Sequence, residues 1–387
     1  MGSRLRSGQP VQAPDTAIQK PAAPEDHEEQ ITGANGTVAF AFDIDGVLVN
    51  GKAPVPGARR TLRKLQLARI PFIFLTNSGG VTEVANLGKL SERLGDISFD
   101  EGQIVQSHTP FRDLVPTYGT KTVLSLGGYG DNIRALAHSY GFKHVVTSSD
   151  LIKHGSEVHP FPEMTKEHHH RHGRKWDRDH PLRVSAILVW SSPRDWCLDL
   201  QVIIDLLLSS HGEAGTRSLK NGDASLPNHG YLQDHQPKLF FCNPDLEWST
   251  EHEHPRLAQG AFRVALHSIW DSITKGAAVL DYTVVGKPTE TTYVYGEKVL
   301  QAYHAANPSP RGPHIKTVYM IGDNPDSDIA GANGYQSRFG SQWRSVLVES
   351  GIHVPGTTPA HTPNHVAKSV QEAVDWALAQ EGIALDD

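Results

Sequence analysis

The sequence has few cysteines, no surplus of positive charge and no long apolar run. Only Cys197 and Cys242 occur among 387 residues, which excludes a disulfide-rich secreted scaffold and favours a reducing intracellular compartment. The formal net charge of -7 argues against a general nucleic-acid binder, because such proteins neutralise phosphates with Lys and Arg. No run of about 18 apolar residues occurs, so no membrane span is expected.

Residues 1–36 also lack the apolar core that a secretory signal peptide needs. Their proline, glutamine and acidic content predicts a flexible leader. A native leader and the remainder of a removed targeting peptide both fit this composition. We therefore expect the protein in the cytoplasm, with the mitochondrion as the alternative.

The rest of the chain alternates short apolar runs with segments of helical spacing. "GTVAFAFDIDG" and "PFIFLTNSGG" have the composition of buried parallel strands, and "GARRTLRKLQLARI" between them has a helical apolar period. This order continues to the C-terminus without an internal repeat. It predicts an α/β fold with a doubly wound parallel sheet.

Polar residues follow several of the predicted strands. They are Asp43 and Asp45, then Thr76, Asn77 and Ser78, then Lys287, and finally Asp323 and Asp328. Because ligands bind beyond the carboxyl ends of parallel strands, we expect these side chains to meet at one site. Two carboxylates at positions i and i+2 also repel each other, which raises the pKa of one of them. Taken singly, each group could instead be a solvated turn or a helix cap.

Four motifs in this order resemble those of the haloacid dehalogenase superfamily. They are "DIDGVL", "TNSGG", "GKP" and "GDNPDSDIAGAN". The long segment between Thr76 and Lys287 leaves room for a cap only between motifs two and three. That position resembles the C2-capped (type IIA) branch, which includes NagD and the pyridoxal- and glycerol-phosphate phosphatases. "TNSGG" and "GGYGD" look most like the CECR5-like group within it.

The resemblance implies a Rossmann-like core with an inserted α/β C2 cap. The expected segments are a leader (1–36), core (37–118), cap (119–281), core (282–380) and tail (381–387). "FFCNPDLEW" resembles a characteristic stretch of such caps. Its residues Asn243 and Asp245 would face the site and select the substrate. Caps of this branch also suggest a homodimer.

The implied activity is phosphatase action on small phosphorylated metabolites. Asp43 would attack phosphorus and form an aspartyl-phosphate. Asp45 would protonate the leaving alkoxide and later take a proton from the attacking water. The hydroxyl of Thr76, the backbone N–H of Asn77 and the ammonium of Lys287 would hold the phosphoryl oxygens.

The resemblance also implies a Mg²⁺ ion, because an all-oxygen ligand set suits this metal. Its ligands would be the carboxylates of Asp43 and Asp323 and the backbone carbonyl of Asp45. Asp328 would orient these groups. Two alternatives stay open: a non-catalytic binding or regulatory protein with a vestigial site, and transfer of the phosphoryl group to an acceptor other than water.

Two further expectations concern the cap. The tract from Lys166 to His180 contains adjacent histidines, whose spacing does not suit a closed zinc site. A solvated, mobile loop is predicted there instead. Cys197 and Cys242 lie in apolar runs, which predicts that both belong to the core.

Overall fold

A computed structural model describes residues 36–160, 164–176, 180–248, 250, 252 and 254–385. The predicted leader, apart from Gly36, and the last two residues of the predicted tail lie outside these residues. The strands are β1 (Gly36–Phe42), β2 (Val49–Asn50), β3 (Ala53–Pro54), β4 (Phe72–Thr76), β5 (Ile104–Gln106), β6 (Thr122–Leu126), β7 (His144–Val146), β8 (Ala186–Val189), β9 (Lys238–Phe241), β10 (Glu247–Trp248), β11 (Arg256–Leu257), β12 (Thr283–Val284), β13 (His314–Gly322), β14 (Gln342–Val348) and β15 (His365–Ala367).

Helices cover both faces of the sheets. They are α1 (Ala58–Leu67), α2 (Glu83–Arg93), α3 (Val115–Tyr118), α4 (Asn132–Tyr140), α5 (Ser148–His154), α6 (Lys166–His172), α7 (Trp196–Leu208), α8 (Gln259–Thr274), α9 (Glu290–Ala306), α10 (Ala330–Gly334) and α11 (Val370–Gln380). No helix of the described residues is both long and apolar enough to cross a membrane.

The core sheet has six parallel strands in the order β15-β14-β13-β1-β4-β5. The chain runs from β1 outward through β4 to β5, and later resumes at β13 on the other side of β1. The strand order therefore reverses between β1 and β13, which is where a doubly wound sheet binds its ligand. The predicted α/β fold with a doubly wound core is confirmed.

Strand β1 is buried on both faces, as its continuous apolar composition predicts. Phe40 and Phe42 pack with residues of α1, α2 and α11. Ala39 and Ala41 point to the opposite face and pack with residues of α9. This alternation fixes the register of the strand, and with it the positions of the residues that follow Phe42.

The inserted segment forms a second parallel sheet in the order β12-β9-β8-β6-β7. Ile187 and Val189 of β8 face α7 and α8, whereas Ala186 and Leu188 face α4. The cap thus has its own core. Its last strand, Thr283–Val284, pairs with β9. The cap sheet therefore extends to Val284, and the expected cap boundary at residue 281 is too early.

Two expectations for the cap do not hold. Residues 166–172 form the helix α6 rather than a solvated loop, and His169 is buried on its inner face. The Nδ1 atom of His169 lies 2.9 Å from Oγ of Ser149. Cys242 is buried as predicted, but Cys197 is exposed in the first turn of α7. Apolar neighbours in sequence do not determine which side of a helix a residue occupies.

Candidate active site

Asp43 follows β1 directly and lies at the point where the strand order reverses. It is 9% exposed, and its Oδ1 atom accepts a 2.8 Å hydrogen bond from the backbone N–H of Ile44. Asp323 follows β13, the neighbouring strand, and is also buried. Parallel pairing of β1 with β13 therefore brings together two carboxylates from distant parts of the sequence.

The turn after Asp43 depends on glycine. Gly46 has a φ of +85°, and a Cβ atom there would overlap the carboxylate of Asp323. A residue with a side chain would be strained at this φ and would displace a carboxylate. The sequence "DIDG" therefore places its glycine where the backbone passes close to the carboxylate of Asp323.

Lys287 is completely buried between two carboxylates. Its Nζ atom lies 3.1 Å from Oδ1 of Asp43 and donates a 2.6 Å hydrogen bond to Oδ1 of Asp328. Burial lowers the pKa of the Lys287 ammonium, but the charges of Asp328 and Asp43 more than offset this, so its pKa lies above the usual value. The ammonium therefore stays charged beside Asp43.

Asp43, Asp323 and Asp328 form a group with the donor set of a divalent cation site. One carboxylate oxygen from each lies within 4.8 Å of the other two. Burial raises the pKa of Asp328 to about 6 and that of Asp323 well above its usual value, and the neighbouring carboxylates add to both shifts. One lysine does not neutralise three carboxylates, so this group fits a hard cation such as Mg²⁺.

Asp45 lies beside this group, half-buried, and lines the same cleft as Asp43. Burial raises its pKa to about 6, and the charge of Asp43 contributes to the increase. A carboxyl group that titrates near neutral pH suits proton transfer. The repulsion expected from the i, i+2 spacing is thus present, although burial is the larger cause.

The segment after β4 supplies hydroxyl and amide groups. The Thr76 side chain is buried, donates to Oγ of Ser78 at 3.2 Å and accepts from the Ser78 backbone N–H at 3.1 Å. These bonds hold the Thr76 hydroxyl at the wall of the cleft, where Asn77 and Ser78 also lie. The structure therefore brings motif two to motif one, as predicted.

The side chain of Asn77 has a role that the sequence did not reveal. Its Oδ1 atom accepts from the backbone N–H of Lys287 at 2.8 Å, and its Nδ2 atom donates to the Lys287 carbonyl at 2.9 Å. Nδ2 also donates to Oδ2 of Asp245 at 2.9 Å. One amide thus joins motif two, motif three and the cap.

The cap turn at Asn243 and Asp245 lies at the same cleft. The Nδ2 atom of Asn243 donates to the Asn77 carbonyl at 2.9 Å, and its Oδ1 atom accepts from the Asp245 backbone N–H at 2.7 Å. Burial raises the pKa of Asp245 to about 7, although the hydrogen bond from Asn77 lowers it. The structure places both residues where the sequence predicted them.

The cleft between core and cap has a volume of about 220 Å³. Several of its lining residues had no signal in the four motifs. They are Ser107, Ser191, Ser192, Arg194, Glu247, Trp248, Leu257, Ala258 and Ile352. All but Ser107 and Ile352 belong to the cap, and only the position of Ser191, Ser192 and Arg194 in the loop after strand β8 could have indicated these three.

Known proteins support the assignment that the motifs suggested. Residues 40–143 match the family described as haloacid dehalogenase-like hydrolase, and residues 284–373 match a second, HAD-hydrolase-like family. The chain is 34% identical over 359 residues to a mitochondrial hydrolase of Saccharomyces cerevisiae, covering 88% of this chain and 95% of that protein. The chain belongs to the haloacid dehalogenase-like hydrolases. It is therefore an enzyme of this superfamily.

Two further similarities bear on this hydrolase. A cardiolipin synthase (CMP-forming)/mitochondrial hydrolase fusion protein of Schizosaccharomyces pombe is 38% identical over 345 residues, which are 89% of this chain. The match spans about half, 53%, of the length of that relative. A p-nitrophenyl phosphatase structure from Archaeoglobus fulgidus has a TM-score of 0.55 at 16% identity, covering 88% of this chain and 99% of that chain. This last likeness supports the fold, and assignment to the CECR5-like group stays a prediction.

Proposed function

We propose that the enzyme is a Mg²⁺-dependent phosphatase of small phosphorylated metabolites that acts through an aspartyl-phosphate on Asp43. The observation that carries this proposal is the position of Asp43. Its carboxylate lies at the reversal point of the sheet, 3.1 Å from the buried Lys287 ammonium and within the carboxylate group that fits a cation. A carboxylate that attacks a dianionic phosphate needs nearby positive charge, because the two negative groups repel each other.

In the first step, a carboxylate oxygen of Asp43 attacks phosphorus while the bond from phosphorus to the ester oxygen breaks. Asp45 donates its proton to the leaving alkoxide. In the second step Asp45 takes a proton from water, and the water oxygen attacks the same phosphorus and releases Asp43 and inorganic phosphate. A pKa of about 6 for Asp45 suits both transfers, because it allows either protonation state near neutral pH.

The phosphoryl oxygens would be held by three groups on two loops. These are the Thr76 hydroxyl, the backbone N–H of Asn77 and the Lys287 ammonium, all of which stabilise developing negative charge. Asp43, Asp323 and the Asp45 carbonyl would hold Mg²⁺, which supplies further neutralisation of the phosphate when bound. Asp328 keeps Lys287 in place through the 2.6 Å hydrogen bond.

The cleft favours a small substrate. Its volume of about 220 Å³ is below the roughly 300–1,000 Å³ that is usual for pockets that hold drug-sized ligands. Asn243 and Asp245 would contact the leaving group from the cap side. A homodimer through the cap stays a prediction.

We also propose a mitochondrial location, the alternative to the cytoplasm given above, because the names of the two relatives described above include a mitochondrial hydrolase. Fractionation of the native organism's cells, with detection of the endogenous protein, tests this location. Recovery with the mitochondrial fraction is expected. Recovery with the cytosol alone would contradict it.

A screen of phosphorylated metabolites tests the activity. Purified protein with Mg²⁺ should release inorganic phosphate from at least one small phosphomonoester, and chelation with EDTA should abolish release. Binding of Mg²⁺ without turnover across the panel would favour the non-catalytic alternative. A phosphorylated acceptor in place of free phosphate would show that the enzyme is a transferase.

A further inference from the structure

The loop after cap strand β8 lies at a position that is favourable for ligand binding. In the cap sheet the chain passes from β6 to β7 at one edge and then resumes at β8 on the other side of β6. The strand order therefore reverses between β6 and β8, and ligands of such sheets bind beyond the carboxyl ends of the strands at this point. Gly127, after β6, packs so closely on the Ser191 carbonyl that a Cβ atom would overlap it.

This loop also faces the core. A Cβ atom on Gly80, the last residue of motif two, would lie 3.0 Å from Oγ of Ser191. Ser191, Ser192 and Arg194 all line the cleft that contains Asp43. The reversal point of the cap sheet thus opens onto the same cleft as the reversal point of the core sheet.

Arg194 is exposed at this wall, and its backbone neighbour orients it. The Nη1 atom donates to the Ser192 carbonyl at 3.1 Å. The described part of the chain offers Arg194 no carboxylate at ion-pairing distance, although other arginines of the cap, such as Arg134 and Arg183, are paired. Its guanidinium therefore has donors available toward the cleft.

The charge of this guanidinium is unusual for its surroundings. The other charged side chains that line the cleft are all acidic; they are Asp43, Asp45, Asp245, Glu247 and Asp323. Among the described residues that line it, Arg194 is therefore the single cation. A second anionic group on a substrate would be attracted at Arg194 and repelled elsewhere along the wall, which would fix the orientation of the substrate.

We propose that Arg194, with Ser191 and Ser192, binds an anionic group on the leaving-group side of the substrate, so that the preferred substrates are small phosphomonoesters that carry a carboxylate or a second phosphate. Arginine pairs with both groups through two parallel hydrogen bonds. The two serine hydroxyls suit the hydroxyl groups of a short polyol chain. This inference rests on the proposed phosphatase activity.

Matched substrates test the proposal with the full-length enzyme and Mg²⁺. Glycerol 3-phosphate and 3-phosphoglycerate differ in whether the end distant from the phosphate is neutral or anionic, as do glucose 6-phosphate and 6-phosphogluconate. The measured quantity is the ratio of kcat/KM for the anionic over the neutral member of each pair. We expect this ratio to exceed about 10 in the wild-type enzyme, the effect of one hydrogen bond to a charged group.

The variant Arg194→Met should lower this ratio roughly tenfold to a hundredfold, since it removes a charge-assisted hydrogen bond. Arg194→Lys should recover part of the loss, because it keeps the charge without the planar donor pair. Arg217→Met, a matched change at an exposed cap residue outside the cleft, should leave the ratio unchanged.

The outcomes separate the two proposals. If the wild-type enzyme hydrolyses none of the four substrates or any other phosphomonoester, the proposed phosphatase function fails. If it hydrolyses them with a ratio near one, or if Arg194→Met leaves the ratio unchanged, the phosphatase stands and the anionic subsite is refuted. Equal loss for both members of a pair would also refute it, because that result indicates general damage.

Discussion

The side-chain amide of Asn77 pairs with both backbone polar groups of Lys287. The two hydrogen bonds measure 2.8 and 2.9 Å and join residues 210 positions apart in the chain. The same Nδ2 group donates to Asp245 of the cap. The position of the Lys287 ammonium beside Asp43 therefore depends on an amide that also contacts the cap.

Asn77→Asp should lower kcat at least tenfold. The substitution keeps an acceptor for the Lys287 N–H but removes the donor to the Lys287 carbonyl, a loss of about 1 kcal/mol or more. It also places a new carboxylate next to that of Asp245, and the two negative charges repel each other. The measurement is kcat with any hydrolysed phosphomonoester, together with the thermal unfolding midpoint.

The double variant Asn77→Asp/Asp245→Asn is the control for this prediction. It restores the hydrogen bond between the two side chains with donor and acceptor exchanged. We expect it to unfold at a higher temperature than Asn77→Asp alone. Strict additivity of the two single changes would show that the residues do not interact.

The metal site gives a second prediction. Asp323→Asn should weaken Mg²⁺ binding at least tenfold in a calorimetric titration, whereas Asp326→Asn, at an exposed neighbour outside the group, should change it less than twofold. Protons compete with Mg²⁺ for the carboxylates, and the pKa of Asp328 lies near 6. Affinity should therefore fall as pH decreases from 8 to 5. Unchanged Mg²⁺ affinity in folded Asp323→Asn protein would contradict this assignment.

A third prediction concerns pH and the stability of the cap. Asp199 is 5% exposed in α7, and burial raises the pKa of this carboxyl group from 3.8 to about 7. A raised pKa means that the fold favours the protonated form, so stability is lost as pH rises from about 4 to 7. An ionised Asp199 then costs the fold up to about 4 kcal/mol.

Asp199→Asn should therefore stabilise the protein, and by more at pH 8 than at pH 5. Chemical denaturation at the two pH values measures this difference. Asp375→Asn, at an exposed position of α11, should show no such pH dependence. A stabilisation by Asp199→Asn that is equal at both pH values would disprove the burial of an ionisable group as its cause.

The histidine-rich helix gives a fourth prediction. His169→Ala removes the buried contact with Ser149 and an imidazole whose Nε2 atom lies 3.6 Å from Oδ2 of Asp195. The loss should destabilise the protein by about 1–3 kcal/mol. His170→Ala, one position along on the exposed side, should change stability by less than about 0.5 kcal/mol. Equal effects of the two variants would show that α6 is not packed as described.

Much of the fold and of the central site could be predicted because their signals are local. The run that ends at Asp43 has the composition of a buried parallel strand, and carboxyl ends of such strands meet at one edge. Asp43 and Asp323 could therefore be placed near each other before any contact was known. The position of the cap followed from the length of the segment between motifs two and three.

The remaining features depend on tertiary packing. An asparagine after a strand could cap a helix or contact phosphate, and only the approach of Lys287 determines that the Asn77 side chain binds its backbone. The adjacent histidines around His169 predict a solvated loop, yet the contact with Ser149 holds His169 inside the cap. Arg194 follows a strand in the sequence without any motif, so its position at the cleft depends on how cap and core pack.

The most direct test of the central claim is the rate of phosphate release by Asp43→Asn. The amide is a poor nucleophile, so kcat with Mg²⁺ should fall at least about a thousandfold, or roughly 4 kcal/mol in transition-state stabilisation. Circular dichroism of the variant should match that of the wild-type enzyme. Near-normal phosphate release by folded Asp43→Asn protein would contradict an aspartyl-phosphate mechanism at this residue.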